Sequence, residues 1–188
     1  YGQGIPQNAE LAIEYFQLAA EQGHEDATSN LGMILTYGDN GATRDDAAAR
    51  KWLESGVANG HAASMWMLGV MYRDGRGVKR NHLRARSLFK AAADLKSARA
   101  MFFLGIMNEY GLGGAEDFEE AANLYRQAHE EDDVEATYYL GLMMAYGRGM
   151  SQSFPGAMEL FKEAAEKGHV QSTTFLGKMY MHGHGVQT

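Results

Sequence analysis

The sequence contains no cysteine and only two prolines among its 188 residues. Without cysteine, the chain has neither a disulfide framework nor a thiolate metal site. Few prolines, 23 glycines and no strand-like runs of β-branched residues together predict helices separated by glycine turns. Hydrophobic and charged fractions of 45% and 22% are those of a globular protein, which excludes the disordered and collagen-like classes.

The chain also lacks a positive net charge, a long apolar run and a signal-peptide pattern. Its formal charge of −7 argues against nucleic acid as a partner, because such binding requires a basic surface. No apolar stretch is long enough to cross a bilayer, so we expect no membrane contact from this segment. Because the sequence begins at Tyr1 rather than at methionine, we interpret it as part of a longer polypeptide.

What the sequence does contain is an internal repeat of 36 residues, with a single interval of 37. The dipeptide Leu-Gly shows it at Leu31-Gly32, Leu68-Gly69, Leu104-Gly105, Leu140-Gly141 and Leu176-Gly177. A second glycine, an alanine and a large apolar residue recur in the same register, which predicts tandem helix–turn–helix repeats. We interpret the chain as a single solenoid array and as a fragment of a longer one. Its four full repeats, flanked by half repeats 1–24 and 170–188, are about 25–61, 62–97, 98–133 and 134–169.

Each repeat is predicted to contain two helices, A and B, which gives ten helices and no β-sheet. Helix A carries Leu-Gly and ends at a Gly-x-Gly turn, because glycine adopts the left-handed conformation that closes a helix. A glycine inside helix A costs ~1 kcal/mol relative to alanine, so its recurrence predicts close approach of a neighbouring helix. Helix B begins after a residue that can cap its first amides: Asn8, Asp45, Asn81, Asp117 and Ser153.

The turns after helix B fall into two groups. Three contain Gly-His, at residues 23–24, 60–61 and 168–169, and we interpret these residues as closing helix B. The other two have Asp94-Leu95-Lys96-Ser97 and Glu131-Asp132-Asp133 in its place. We expect those two turns to bend differently.

Two motifs carry a family resemblance. They are Leu-Gly-x-x-Tyr-x-x-Gly-x-Gly-Val in residues 68–78 and Ala-x-x-x-Phe-x-x-Ala-Ala-x-x-Gly-His in residues 157–169. The chain resembles the Sel1-like repeat family, a relative of the tetratricopeptide repeat, over essentially its whole length. The resemblance implies an all-α, right-handed superhelical α-solenoid. It also implies a non-catalytic scaffold or adaptor that binds protein partners as part of a larger complex.

The resemblance implies several settings for such a scaffold. One is the adaptor of the ubiquitin ligase of endoplasmic-reticulum-associated degradation, to which residues 146–149 and 175–180 are similar. The lack of cysteine and of an Asn-x-Ser/Thr sequon does not support a luminal address. The alternatives are a structural subunit of a multiprotein assembly and a hydrolase. An endoplasmic-reticulum location and an intracellular one both stay open.

The residues do not predict catalysis, a cofactor or a metal centre. The Gly-x-Gly turns follow helices rather than strands and recur in every repeat, so we interpret them as turns and not as phosphate loops. His182 and His184 form a His-x-His pair, but no cysteine or nearby carboxylate completes a metal site. Because no nucleophile–base arrangement emerges, we predict that the chain is not an enzyme.

Charge is distributed unevenly, with basic residues concentrated in 73–99 and acidic residues in 116–135. These segments are either two docking surfaces or a ladder of ion pairs between neighbouring repeats, and we favour the ladder. Exposed pairs contribute only ~0–1 kcal/mol each, so a ladder would fix register more than it would add stability. Its predicted pairs lie 36 positions apart: Arg73/Glu109, Arg80/Glu116, Arg84/Glu120, Lys96/Asp132 and Arg99/Glu135.

A second apolar face of helix A supplies the candidate partner-binding site. Aromatic residues stand two positions before the leucine of Leu-Gly, about 160° around the helix from it, and aliphatic residues two positions after it. This helix A stripe consists of Trp66, Val70, Phe102, Ile106, Tyr138 and Leu142, and its aromatic position becomes polar at Ser29 and Thr174. The stripe is either core buried by tight curvature or, as we favour, a groove for a partner helix or extended segment.

Overall fold

A computed structural model of the chain describes residues 8–38 and 41–183. Over these ranges the chain forms ten α-helices and no β-strand, as predicted. It divides into two compact units, residues 1–95 and 96–188. The first unit contains α1 (Ala9–Glu21), α2 (Glu25–Tyr37), α3 (Asp46–Ala58), α4 (Ala62–Asp74) and α5 (His82–Asp94). The second contains α6 (Ala98–Glu109), α7 (Phe118–Glu130), α8 (Val134–Tyr146), α9 (Phe154–Glu166) and α10 (Val170–His182).

Within each unit, every helix packs against the next helix along the chain. The even-numbered helices are the predicted A helices, and the odd-numbered ones are the B helices. In the first unit α2 also contacts α4, so successive A helices lie side by side. Within the described ranges, no helix combines the length and the apolar character that a bilayer crossing requires.

The predicted caps of the B helices are confirmed. At each of the five positions the side chain accepts a hydrogen bond from a backbone amide of the first helical turn. Four of these residues also donate their own backbone N–H to a carbonyl of the preceding A helix. In the second and third full repeats, Asn81 donates to Tyr72 at 2.8 Å and Asp117 donates to Asn108 at 2.9 Å. One residue therefore starts helix B and anchors it to helix A.

The Gly-His turns close helix B as predicted, and their histidines also begin helix A. The backbone N–H of His24 and of His169 donates to the carbonyls of Ala19 and Ala164 at the end of helix B, at 3.1 and 2.9 Å. His24 and His169 are N-cap residues, and their Nδ1 atoms accept hydrogen bonds from the amides of Ala27 and Ser172 at 3.4 and 3.2 Å. The preceding glycine has the positive φ that the sharp turn requires, +87° at Gly168.

The two turns without Gly-His have the same left-handed backbone conformation as the other three turns, so the expected difference in their bend is not found. Lys96 and Asp132 adopt φ of +64° and +65°, the left-handed conformation that glycine takes in the other copies. Ser97 and Asp133 then cap α6 and α8 with their side chains. Side chains other than glycine rarely adopt this conformation, so the turn imposes it at a local cost.

The glycine of Leu-Gly lies directly against the large apolar residue of the following B helix, which confirms the predicted close approach. A Cβ atom on Gly69 would come within 2.6 Å of the Phe89 ring, and one on Gly105 within 2.5 Å of the Tyr125 ring. The same relation joins Gly32 to Leu53 and Gly141 to Phe161. These large residues are fully buried and form the centre of each repeat.

In two Gly-x-Gly turns the second glycine has a packing role that sequence reasoning missed. Gly77 and Gly149 have positive φ, as a turn requires. A Cβ atom on Gly77 would also come within 2.7 Å of Asp46, and one on Gly149 would collide with the backbone of Phe118. Each glycine therefore lets the turn rest on the first residue of the preceding B helix.

Candidate partner-binding surface

The six residues of the helix A stripe differ in exposure. In the first unit Trp66 is half-buried and Val70 is only 4% exposed. In the second unit Phe102 is only 5% exposed, whereas Ile106, Tyr138 and Leu142 are half-buried. The expectation of an accessible stripe is therefore wrong for Val70 and Phe102.

The ring of Phe102 is buried because other aromatic rings of its own unit surround it. Tyr139 of α8 meets it edge-on with ring centres 5.3 Å apart, and the rings of Phe103 and Tyr125 lie 5.2 and 6.0 Å away. Tyr139 occupies the position just before Leu-Gly, which the sequence argument did not consider. The corresponding residue of α10 is Phe175, one repeat further along the chain.

Tyr138 lies at the border between core and solvent. Its ring packs 5.7 Å from the buried ring of Phe161 and 4.7 Å from the ring of His169. Burial, with a smaller contribution from the nearby Tyr146, raises the pKa of the Tyr138 phenol above its ordinary value. Leu142, one turn along α8, packs against the same core cluster. These two side chains are thus fixed by the core while part of their surface stays accessible.

An open cavity of about 520 Å³ adjoins Tyr138 on the side of α10. Its volume is within the range of about 300–1,000 Å³ that is usual for ligand sites. A second cavity, of about 270 Å³, adjoins Tyr146 and Phe154 and shares Phe175 and Lys178 with the first. We call the two cavities together the α8–α10 groove. The first cavity is lined by Tyr138, Val170, Gln171, Thr174, Phe175 and Lys178.

The larger cavity coincides with a change of residue type in α10. Thr174 stands where the earlier A helices carry Trp66, Phe102 and Tyr138. Lys178 stands at the aliphatic position of the stripe, occupied one repeat earlier by Leu142. Both side chains line the cavity. The end of the aromatic series at Thr174 was evident from the sequence, and the same 36-residue register would also have identified Lys178.

Ion pairs do occur in the second unit, but with partners other than the predicted ones. Asp132 contacts Lys167 at 2.9 Å, and Arg99 contacts Asp133 at 3.4 Å. Glu135 lies 3.4 Å from the Nε2 atom of His169. The predicted pairs Lys96/Asp132 and Arg99/Glu135 are therefore wrong, and of the three observed pairs only Asp132/Lys167 joins two repeats. The other three predicted pairs, each with one residue in either unit, stay predictions.

A buried carboxylate accompanies the core aromatic residue of the third repeat. The hydroxyl group of Tyr125 donates a hydrogen bond of 2.8 Å to Glu109, which is only 7% exposed. Arg148 approaches the other carboxylate oxygen at 3.5 Å. Burial, and secondly the charge of Glu109, raise the pKa of the Tyr125 phenol far above its ordinary value.

Nothing in the described part of the chain is arranged to hold a metal ion: no group of three or more histidine and carboxylate side chains converges there. The predicted His-x-His pair is only partly described, because His184 lies outside the described residues.

The fold and the groove together define a helical-repeat protein of the all-α class. The Sel1 repeat model matches the chain in six segments: 1–24, 25–61, 62–97, 98–133, 134–169 and 170–188. The chain belongs to the Sel1 repeat family. Proteins of this family are generally non-catalytic helical-repeat scaffolds, and the predicted solenoid fold class is confirmed.

Solved structures from bacteria share this fold. A Sel1 repeat protein from Oxalobacter formigenes is 28% identical with a TM-score of 0.86, over 98% of this chain and 73% of that one. The protein c5321, a protective antigen of uropathogenic Escherichia coli strains, is 29% identical with a TM-score of 0.78. That match covers 97% of this chain and 39% of the antigen, so the chain spans well under half of the antigen's length. Among the curated proteins, none matches the chain.

Proposed function

We propose that the chain is a non-catalytic scaffold that binds a segment of a partner protein on the A helices. In residues 96–188 the binding surface comprises Ile106, Tyr138, Leu142 and the α8–α10 groove. The observation that carries this proposal is the open cavity beside Tyr138, at the point where α10 has Thr174 in place of an aromatic residue.

The chemistry of this surface suits a protein ligand. A half-buried tyrosine offers an apolar ring and a polar hydroxyl group, and such side chains are enriched among the residues that dominate binding energy. Because the Tyr138 ring is held by Phe161 and His169, little conformational entropy remains to be lost on binding. Trp66 is the corresponding candidate in residues 1–95. Val70 and Phe102 are buried and are not part of these surfaces.

Two narrower roles remain predictions. One is the adaptor of the ubiquitin ligase of endoplasmic-reticulum-associated degradation, and co-purification of ligase subunits with the full-length protein tests it. The other is a permanent structural subunit of an assembly, held through other surfaces. The dissociation rate of the partner separates these roles, because a scaffold that exchanges partners releases them and a permanent subunit does not.

Selection of a random dodecapeptide display library on the full chain tests the proposed binding surface. The variants Tyr138→Thr and Leu142→Lys carry the residues that α10 has at the same register positions, Thr174 and Lys178. Each should weaken the selected peptides about tenfold, or ~1.4 kcal/mol. Tyr180→Thr is the matched control, because Tyr180 is 54% exposed and lies outside both cavities.

Circular dichroism melts accompany each binding measurement and show that the variants are folded. Full binding by Tyr138→Thr and Leu142→Lys, or an equal loss in Tyr180→Thr, would place the binding surface elsewhere.

A further inference from the structure

The α8–α10 groove differs from the rest of the helix A stripe in its chemistry. Along α8 the two stripe positions are aromatic and aliphatic, Tyr138 and Leu142. Along α10 the same two positions are Thr174 and Lys178, and both line the 520 Å³ cavity. The apolar surface of α8 therefore borders a cavity that is lined by the small polar side chain of Thr174 and the cationic side chain of Lys178.

Lys178 borders both cavities, so a segment bound in either one would contact it. The two cavities lie on either side of Phe175, and Lys178 contributes to the lining of both. Among the described residues that line them, it carries the one permanent charge, and His182 is the other basic group. Lys178 is exposed, so its ammonium group is accessible to a ligand.

The electrostatic surroundings favour an anion at this point. Lys178 takes part in no ion pair among the described residues. Its ammonium group can therefore pair with a carboxylate that a partner supplies.

On this basis we propose that the α8–α10 groove binds an extended protein segment with an apolar side chain followed closely by an aspartate or glutamate. This inference rests on the proposed scaffold function and specifies the chemistry of its ligand. The apolar side chain enters the cavity between Tyr138 and Thr174, where it covers the exposed part of the tyrosine ring. The carboxylate pairs with Lys178 at the rim and sets the direction of the segment.

The volume of the cavity is sufficient to hold the apolar side chain of the proposed segment. The volume of about 520 Å³ beside Tyr138 and Thr174 is large enough for an aliphatic or aromatic side chain of a partner. Removing such a side chain and the exposed part of Tyr138 from water is favourable by roughly 25 cal/mol per Å² of apolar surface.

A charge-swap selection tests the inference. The same dodecapeptide library is selected in parallel on the wild-type chain and on Lys178→Glu, Thr174→Phe and Lys162→Glu. Lys162 is an exposed lysine of α9 and controls for the change in net charge. Wild-type and Lys162→Glu should enrich apolar residues followed by Asp or Glu. Lys178→Glu should enrich Lys or Arg at those acidic positions, and Thr174→Phe, which fills the cavity, should weaken wild-type peptides about tenfold.

The outcomes separate this inference from the proposed function. Acidic enrichment that persists on Lys178→Glu, or that disappears equally on Lys162→Glu, overturns the role of Lys178. Peptides that require Tyr138 but show no preference for acidic residues overturn the inference and leave the scaffold function standing. A library that yields no binder on the wild-type chain overturns both.

Discussion

The α-carbon of Gly141 lies against the ring of Phe161, and a methyl group on that glycine would come within 2.7 Å of the ring. The glycine belongs to α8 and the phenylalanine to α9, so this contact sets how closely the two helices approach. Gly105 makes the same contact in the preceding repeat, where a Cβ atom would come within 2.5 Å of the Tyr125 ring.

This contact yields a prediction with a built-in control. Gly141→Ala should destabilise the chain by ~1–3 kcal/mol, because the added methyl group overpacks the helix interface. The same change in a Phe161→Leu background should cost less, because the smaller side chain leaves room for the methyl group. Urea denaturation of the variants measures both values. Equal losses in the two backgrounds would show that helix geometry, rather than contact with Phe161, explains the glycine.

The turn before α6 stores strain at a single residue. Lys96 has φ of +64°, whereas the equivalent position in an earlier repeat is Gly60, with φ of +82° and no atom within 4 Å of a Cβ. Lys96→Gly should therefore raise the free energy of unfolding by ~0.5–1 kcal/mol, and Gly60→Lys should lower it by ~1–2 kcal/mol. Thermal melts that move both variants in one direction would rule out this explanation.

The buried pair of Tyr125 and Glu109 should be strongly coupled. Tyr125→Phe removes the hydroxyl group that donates to the buried Glu109 carboxylate and should cost ~1–3 kcal/mol. The double variant with Glu109→Ala reproduces the residues of the next repeat, Phe161 and Ala145, and should cost less than the two single changes added together. A double-mutant cycle measures the difference, and strict additivity would mean that the hydrogen bond is energetically unimportant.

Stability should also depend on alkaline pH through Tyr125. Its folded pKa is raised by burial and by Glu109, while in the unfolded chain a tyrosine titrates near ~10. Below that pH both states are protonated and this group has no effect. Above it only the unfolded state loses the proton, so stability falls by up to ~1.4 kcal/mol per pH unit. Urea titrations at several pH values should show a shallower decline for Tyr125→Phe, and identical slopes would contradict the assignment.

The regular features of the fold were predictable from the sequence because each depends on short-range chemistry repeated in register. Asn81 caps α5 and Gly105 admits Tyr125 for reasons that a single repeat already contains. The left-handed Lys96 could not be predicted, since local preference opposes it and the packing of the neighbouring helices imposes it.

The candidate site was predicted only in part for a similar reason. The position of Phe102 on the helix was correct, but its burial depends on Tyr139 from a different helix. Helical spacing alone identifies a face and does not show which ring of a neighbouring helix covers it. The cavity beside Tyr138 is likewise lined by a residue of a different helix, Thr174, which lies 36 positions away.

The most direct test of binding on the A helices uses the absence of cysteine, which allows a single thiol to be introduced without background. A library-selected peptide with an added cysteine is mixed with Thr174→Cys or with Lys162→Cys, which places the thiol on the exposed face of α9. Our account predicts that disulfide formation with Thr174→Cys is at least about tenfold faster, since the peptide lies in the groove beside it. Equal rates, or faster trapping at Lys162→Cys, would contradict it.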